Sequence, residues 1–116
     1  MPKPVTVLHT TSATATGGRN GHTQSANGVV SADLSVPKSM GGPGRPNTAT
    51  PEDLFAAGYA ACFGSAVEFV ARQMKLPVKQ VEVTAEVGIG TVEGGGFGLT
   101  VKLAVRLPEV AISVVD

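Results

Sequence analysis

The chain has 116 residues, a length that suits a single domain, and its nine Lys and Arg balance nine Asp and Glu. Apolar residues make up 42%, which is typical of a globular rather than a disordered protein, and the balanced charge argues against a nucleic-acid partner. Only 16% of residues are charged, which indicates that part of the surface is covered by another subunit.

The N-terminal Met-Pro-Lys-Pro lacks the apolar core of a signal peptide. The most apolar stretch, residues 54–67, has 14 uncharged residues, fewer than the roughly 20 that span a membrane. We therefore expect a cytoplasmic protein with no membrane partner.

The first half of the chain predicts strands and turns. Thr and Val dominate residues 5–16, which favours a strand, and the glycines at 17, 18 and 21 favour a turn. Residues 22–25 and 29–36 favour two more strands, with Asn27-Gly28 as a hairpin turn between them. In the later strand we expect one buried face, because apolar side chains alternate with polar ones: Val30, Ala32, Leu34 and Val36.

The second half predicts a helix and then a hairpin. Pro51 suits the first helical position, the acids that follow it favour the positive end of the helix dipole, and the helix should end near Met74. It is apolar on nearly all sides, which predicts a buried position. Residues 81–89 and 99–107 alternate apolar and polar side chains around glycines 94–96, which predicts an antiparallel hairpin. Residues 110–116 suit either a helix or a short strand.

This order of elements predicts an α+β fold in which antiparallel sheets pack around a central buried helix. We expect one domain over residues 1–116. One half-sheet at each end gives such a helix little apolar cover, whereas two copies sharing strands around a pair of helices would cover it. The pattern therefore predicts a homodimer.

Cys62 is the only cysteine, so no internal disulfide is possible. It lies about eleven residues into the predicted helix, too far from the N-terminus for the dipole to favour a thiolate. A thiolate in apolar surroundings needs a nearby cation, and Arg19 is the best candidate because its neighbouring glycines permit a tight turn. Its guanidinium could hold a thiolate and a carboxylate together, and Glu52 is the obvious carboxylate.

Glu52 precedes Cys62 by roughly 15 Å along a straight helix. One arginine side chain can hardly contact both residues on the same helix. Either the helix bends, or the Glu52 and Cys62 of one site come from different subunits, which would place the site at a dimer interface.

Each of these residues also has a structural interpretation. Cys62 could be an inert core thiol, Arg19 an exposed turn residue, and Glu52 a first-turn acid. Tyr59 and Phe63 flank Cys62 as core or as the wall of a substrate pocket. His9 and His22 have no supporting motif for a Cys/His hydrolase, and two His with one Cys lack the spacing of a metal site.

Several segments together resemble a known family. Residues 47–63, Asn-Thr-Ala-Thr-Pro-Glu-Asp-Leu-Phe-Ala-Ala-Gly-Tyr-Ala-Ala-Cys-Phe, are long enough to be specific, and shorter matches lie at residues 14–19, 34–42, 87–90 and 95–99. The chain resembles the organic hydroperoxide resistance proteins, the Ohr branch of the OsmC/Ohr family, over essentially its whole length.

The resemblance implies an intertwined α+β homodimer with sites at the subunit interface and a thiol peroxidase activity. It implies that Cys62 attacks an alkyl or fatty-acid hydroperoxide and becomes a sulfenic acid, that Arg19 stabilises the thiolate and positions the peroxide, and that Glu52 orients Arg19. It further implies no prosthetic cofactor and a lipoyl-type dithiol as the external reductant.

The chain departs from the family in one respect. The family's second cysteine lies in a C-terminal segment resembling Cys-Pro-Tyr-Ser, and the sequence ends at Asp116 with one cysteine. We expect a C-terminally incomplete chain, with a natural one-cysteine variant as the alternative. The alternative function is a non-catalytic module that binds an apolar ligand or a protein partner, with a buried, unreactive Cys62.

Overall fold

The computed structural model describes residues 3–78, 80–107 and 113–115. Their contacts divide the chain into two compact units, Met1–Thr50 and Pro51–Asp116. Each unit has its own antiparallel sheet. The α+β class with antiparallel sheets is therefore confirmed.

The first unit holds a three-stranded sheet in the order β1 (Ala13–Thr16), β2 (His22–Ser25) and β3 (Ser31–Asp33). Residues 26–30 form the predicted turn between β2 and β3, in which Gly28 has a φ of 75° and its N–H donates to the carbonyl of Ser25. The predicted strand over residues 5–16 is confirmed only at its last four residues. Residues 5–12 have no partner strand and stay exposed, because strand propensity alone does not supply hydrogen-bonding neighbours.

The alternation predicted for residues 29–36 is wrong at both of its ends. Val30, which should be buried, is 47% exposed. Leu34 and Ser35, which follow one another and should face opposite sides, are both buried, at 3% and 2% exposure. Directly after β3, the strand pairing is replaced by an isolated parallel bridge between Leu34 and Ala49. Without a continuous ladder, successive side chains need not alternate between faces.

The second unit begins with helix α1 (Pro51–Gln73), within a residue of the predicted bounds. It continues with β4 (Glu82–Thr91), β5 (Phe97–Arg106) and β6 (Ser113–Val115), which form an antiparallel sheet in that order. The predicted hairpin is confirmed, and its turn glycines at 94–96 all have positive φ. The open choice for the last segment resolves to a strand at residues 113–115; residues 108–112 and 116 lie outside the described part.

The described core of the second unit is small. Leu103 and Val105 of β5 are buried, and on α1 the buried positions are Glu52, Gly64 and Ala71. Helix α1 packs against β4, yet most of its apolar side chains stay exposed. The predicted burial of the helix is therefore not achieved within one chain. A homodimer, which would cover it, stays a prediction.

By length and composition alone, α1 could cross a membrane. Core helices of soluble proteins share these properties, so the helix does not by itself identify a membrane protein. The cytoplasmic location predicted above stays a prediction.

Candidate functional site

Cys62 lies near the middle of α1 with an exposed side chain. The helix turns by about 100° per residue, which places Cys62 about 180° around the axis from Gly64 and Ala71. These small residues are buried, and a Cβ built on Gly64 would lie 3.5 Å from Cγ2 of Val83 in β4. The side of α1 that packs on the sheet is therefore opposite the side that carries the thiol.

An apolar stripe runs along the cysteine side of α1. Helical spacing of three and four residues aligns Phe55, Tyr59, Cys62, Ala66 and Phe69. All three aromatic side chains in this stripe are about half exposed. The thiol consequently lies between aromatic groups on both sides along the helix, and only Tyr59 among them was predicted from the sequence. The helical period was the signal that could have identified Phe55 and Phe69.

Phe63 faces another direction. It lines an open apolar groove of about 330 Å³ together with residues from the second half of α1 and the chain beyond it, including Val67, Val70 and Leu107. The described lining of this groove includes neither Cys62 nor Tyr59. The structure therefore does not place Tyr59 and Phe63 together in the described lining of this groove, which begins at Phe63 and continues beyond the end of α1, whereas Tyr59 lies one helical turn earlier.

Glu52 lies in the first turn of α1 and is only 8% exposed. A carboxylate favours this end of the helix because the unpaired backbone N–H groups carry partial positive charge. Glu52 and Cys62 share one described helix, with a separation along its axis of about 15 Å. The structure therefore places these two predicted site residues on the same element, on neighbouring sides of the helix.

Arg19 belongs to the first unit, in the middle of a 3₁₀ turn at Gly18–Asn20. Gly17 and Gly18 precede it with φ values of 84° and 58°, a backbone conformation that residues other than glycine rarely adopt. At Gly21, a Cβ would lie 1.7 Å from the carbonyl oxygen of Thr16. The glycines are thus required by the backbone, and the turn presents a half-buried Arg19. Its pairing with Glu52 or Cys62 stays a prediction.

Two hydrogen bonds through Asn20 attach this turn to the loop after β3. The side-chain Oδ1 of Asn20 accepts from the backbone N–H of Val36 at 2.9 Å. The carbonyl oxygen of Asn20 accepts from Nη2 of Arg45 at 2.9 Å, and the same nitrogen donates to the carbonyl oxygen of Leu34 at 2.6 Å. Sequence reasoning missed Asn20 and Arg45, because their spacing of 25 residues carries no local pattern.

His22 forms a separate polar cluster with β3. Its Nδ1 lies 2.8 Å from Oδ1 of Asp33, directly opposite in the sheet, and its Nε2 lies 3.2 Å from Oγ of Ser31. The hydrogen bond to Asp33, followed by that to Gln24, raises the pKa of His22 above 6.5. Among the described residues, no group of three or more His, Cys, Asp and Glu is arranged to hold a metal ion.

Comparison with known proteins relates this arrangement to one family. The model of the OsmC-like proteins matches residues 42–112. The organic hydroperoxide resistance protein of Xanthomonas axonopodis pv. citri is 48% identical over 109 residues, which cover 93% of this chain and 75% of that protein. Organic hydroperoxide resistance protein OhrB of Bacillus subtilis is 41% identical over 103 residues, covering 88% and 74%.

Solved structures of organic hydroperoxide resistance proteins have a similar fold. An organic hydroperoxide resistance protein from Elizabethkingia anophelis superposes with a TM-score of 0.81 at 50% identity, covering 92% of this chain and 76% of that one. OhrB of Bacillus subtilis superposes with a TM-score of 0.79 at 40% identity, covering 90% and 76%. The chain therefore belongs to the OsmC-like family, in its organic hydroperoxide resistance branch, which confirms the resemblance carried by residues 47–63.

Proposed function

We propose that this protein is a cysteine-dependent reductase of organic hydroperoxides, acting in defence against oxidative stress. The observation that carries the proposal is the exposed thiol of Cys62 within an apolar, aromatic stripe on α1. Two relatives named for organic hydroperoxide resistance, at 48% and 41% identity over most of the chain, support the same substrate class.

The proposed reaction begins with the thiolate of Cys62. Its sulfur attacks the terminal oxygen of the hydroperoxide, a sulfur–oxygen bond forms, and the oxygen–oxygen bond breaks. The departing alkoxide takes up a proton and leaves as the alcohol. Sulfur is thereby oxidised to a sulfenic acid while the peroxide is reduced.

Arg19 and Glu52 are the proposed partners of Cys62. A guanidinium stays protonated in any environment and can donate to a thiolate, to a peroxide oxygen and to a carboxylate at the same time. Glu52, buried at the start of α1, is suited to orient it. Since about 15 Å of helix separates Glu52 from Cys62, we propose that each site combines residues of two subunits of a homodimer.

The apolar stripe supports an organic substrate over hydrogen peroxide. Phe55, Tyr59 and Phe69 offer apolar surface to an alkyl or fatty-acyl chain whose peroxide group reaches Cys62. Burying such a chain contributes about 0.8 kcal/mol per methylene, which hydrogen peroxide cannot provide.

Regeneration of the thiol needs an external reductant, because returning the sulfenic acid to the thiol takes two electrons. A dithiol of the lipoyl type would attack the sulfenic sulfur, release water and form a mixed disulfide. Its second thiol would then displace Cys62 and close the cyclic disulfide.

A second candidate function is a non-catalytic module for an apolar ligand or partner. The groove lined by Phe63 and Val70 favours it, since nearly all of its surface is apolar. This function predicts a buried, unreactive Cys62, whereas the thiol is exposed within one chain. Because the proposed homodimer would cover α1, the relatives named for organic hydroperoxide resistance, rather than this exposure, support the reductase over the binding module.

The chemistry is tested by its products. The protein, reduced and freed of excess thiol, is mixed with cumene hydroperoxide in the presence of dimedone, which traps sulfenic acids. We expect one cumyl alcohol for each thiol lost and a dimedone adduct on the peptide that contains Cys62. Alcohol formed equally by Cys62→Ser would overturn the proposal. Binding of apolar dyes without any alcohol would favour the module.

A further inference from the structure

The loop between β3 and α1 contains a cation that neither the sequence motifs nor the proposed reaction uses. Arg45 donates from one guanidinium nitrogen, Nη2, to the carbonyl oxygens of Asn20 and Leu34. Asn20 is the residue directly after Arg19. The guanidinium of Arg45 is thus joined to the backbone of the turn that presents the proposed catalytic arginine.

Arg45 is itself held in place at its backbone. Its N–H donates to Oγ of Ser35 at 3.1 Å, and its carbonyl accepts from Oγ1 of Thr48 at 2.6 Å. Ser35 is a buried polar residue two positions after β3. Because the backbone of Arg45 is anchored, its side chain can hold the Asn20 carbonyl in one position, whereas an arginine on a freely moving segment could not.

The direction of Arg19 depends on that carbonyl. The 3₁₀ turn follows the positive-φ residue Gly17, and Asn20 connects its end to the rest of the unit through Oδ1 and through the carbonyl. Releasing the carbonyl would let the peptide between Asn20 and Gly21 rotate, and Asn20, the neighbour of Arg19, would lose that restraint. Because catalysis loses rate when a reacting group is misplaced by about 1 Å, such a rotation would be measurable.

We propose that Arg45 is a positioning residue for Arg19: it fixes the Asn20 carbonyl and thereby the direction in which the turn presents the Arg19 guanidinium. The inference rests on the proposed role of Arg19 at Cys62. It assigns to Arg45 a role that acts through the turn.

The kinetic test compares two losses of charge from the same loop. Arg45→Gln should slow the oxidation of Cys62 by cumene hydroperoxide by about tenfold, because the Asn20 carbonyl loses its hydrogen bond from a charged donor. Lys38→Gln, which removes an exposed cation of that loop, should leave the rate unchanged. Arg45→Lys should recover most of the rate, because an ammonium can still donate to both carbonyls.

A double variant separates positioning from general damage. In the Arg19→Ala background, Arg45→Gln should have no further effect on the rate, because the group that it positions is gone. The same slowing in both backgrounds would overturn the inference. So would an unchanged rate in Arg45→Gln alone.

A second readout does not require activity. The heteronuclear NOE of Nε in Arg19 should fall in Arg45→Gln, recover in Arg45→Lys and stay unchanged in Lys38→Gln. If wild-type Cys62 proves unreactive, the proposed function fails, and this measurement still decides whether Arg45 orients Arg19. An unchanged NOE in Arg45→Gln would overturn the inference whatever the rate.

Discussion

Cys62 and Gly64 lie on opposite sides of α1. Gly64 is buried against the side chain of Val83 in β4, and Cys62 is exposed among aromatic residues. One helix therefore uses its small residues to approach the sheet and directs its thiol away from it. The packing of the helix and its proposed chemistry can be altered separately, and substitutions on the two sides should have different effects.

Substitutions at Gly64 should affect stability and depend on size. Alanine would meet Cγ2 of Val83 at 3.5 Å, an ordinary contact, and it raises helix propensity by up to about 1 kcal/mol. Leucine would overpack the contact and should destabilise the fold by about 1–3 kcal/mol. Urea unfolding measures both. Gly58, with no atom within 4 Å of a built Cβ, is the matched control, and equal losses for leucine at both positions would contradict the packing described.

The turn that bears Arg19 should tolerate alanine differently at its two ends. At Gly21 an added Cβ would overlap the Thr16 carbonyl, so Gly21→Ala must displace backbone and should cost more than about 2 kcal/mol. At Gly18 there is open space and only an unfavourable φ, so Gly18→Ala should cost about 1–2 kcal/mol. Thermal unfolding of the two variants should preserve this order.

Protonation of His22 should stabilise the first unit. Its pKa is raised in the folded state, chiefly by the hydrogen bond to Asp33, so the stabilisation is fully present below the unfolded pKa of 6.5. It is lost as pH rises through the higher folded pKa. NMR titration of the His22 ring should give a midpoint above 6.5 that moves down in Asp33→Asn. Gln24→Ala should lower it less, because that hydrogen bond is longer, at 3.4 Å. A midpoint unaffected by Asp33→Asn would contradict this prediction.

Arg19 should matter to the rate of thiol oxidation and little to the fold. Arg19→Ala should slow the reaction of Cys62 with an organic hydroperoxide at least tenfold, about 1.4 kcal/mol of transition-state stabilisation. The rate of Arg19→Lys should fall between those of the wild type and Arg19→Ala, because an ammonium keeps the charge but lacks the planar fork of a guanidinium. Arg72→Ala removes an exposed arginine in the last turn of α1 and is the control. Equal rates for Arg19→Ala and wild type would remove Arg19 from the site.

Local patterns predicted the elements that rest on local physics. Pro51 with its following acids marked the start of α1, and strict alternation around glycines 94–96 marked the hairpin of β4 and β5. Residues 5–12 show where such patterns fail. Their Thr and Val suit a strand, but a strand exists only where another segment pairs with it.

The glycine-rich turn around Arg19 could be predicted, because a specific backbone geometry requires its glycines. The roles of Cys62 and Arg19 in a site stay predictions. The Arg45–Asn20 contact was missed, since it joins distant parts of the chain through one carbonyl oxygen. The exposure of the apolar helix within one chain agrees with the shortage of cover expected from the sequence, and the homodimer inferred from that shortage stays a prediction.

The proposed reductase function depends above all on the reactivity of Cys62. The most direct measurement is the second-order rate of thiol loss when the reduced protein is mixed rapidly with cumene hydroperoxide, compared with free cysteine under the same conditions. We expect the protein thiol to react at least a hundredfold faster, a difference of about 2.7 kcal/mol that a positioned cation and an apolar site can supply. A rate no greater than that of free cysteine would contradict the account.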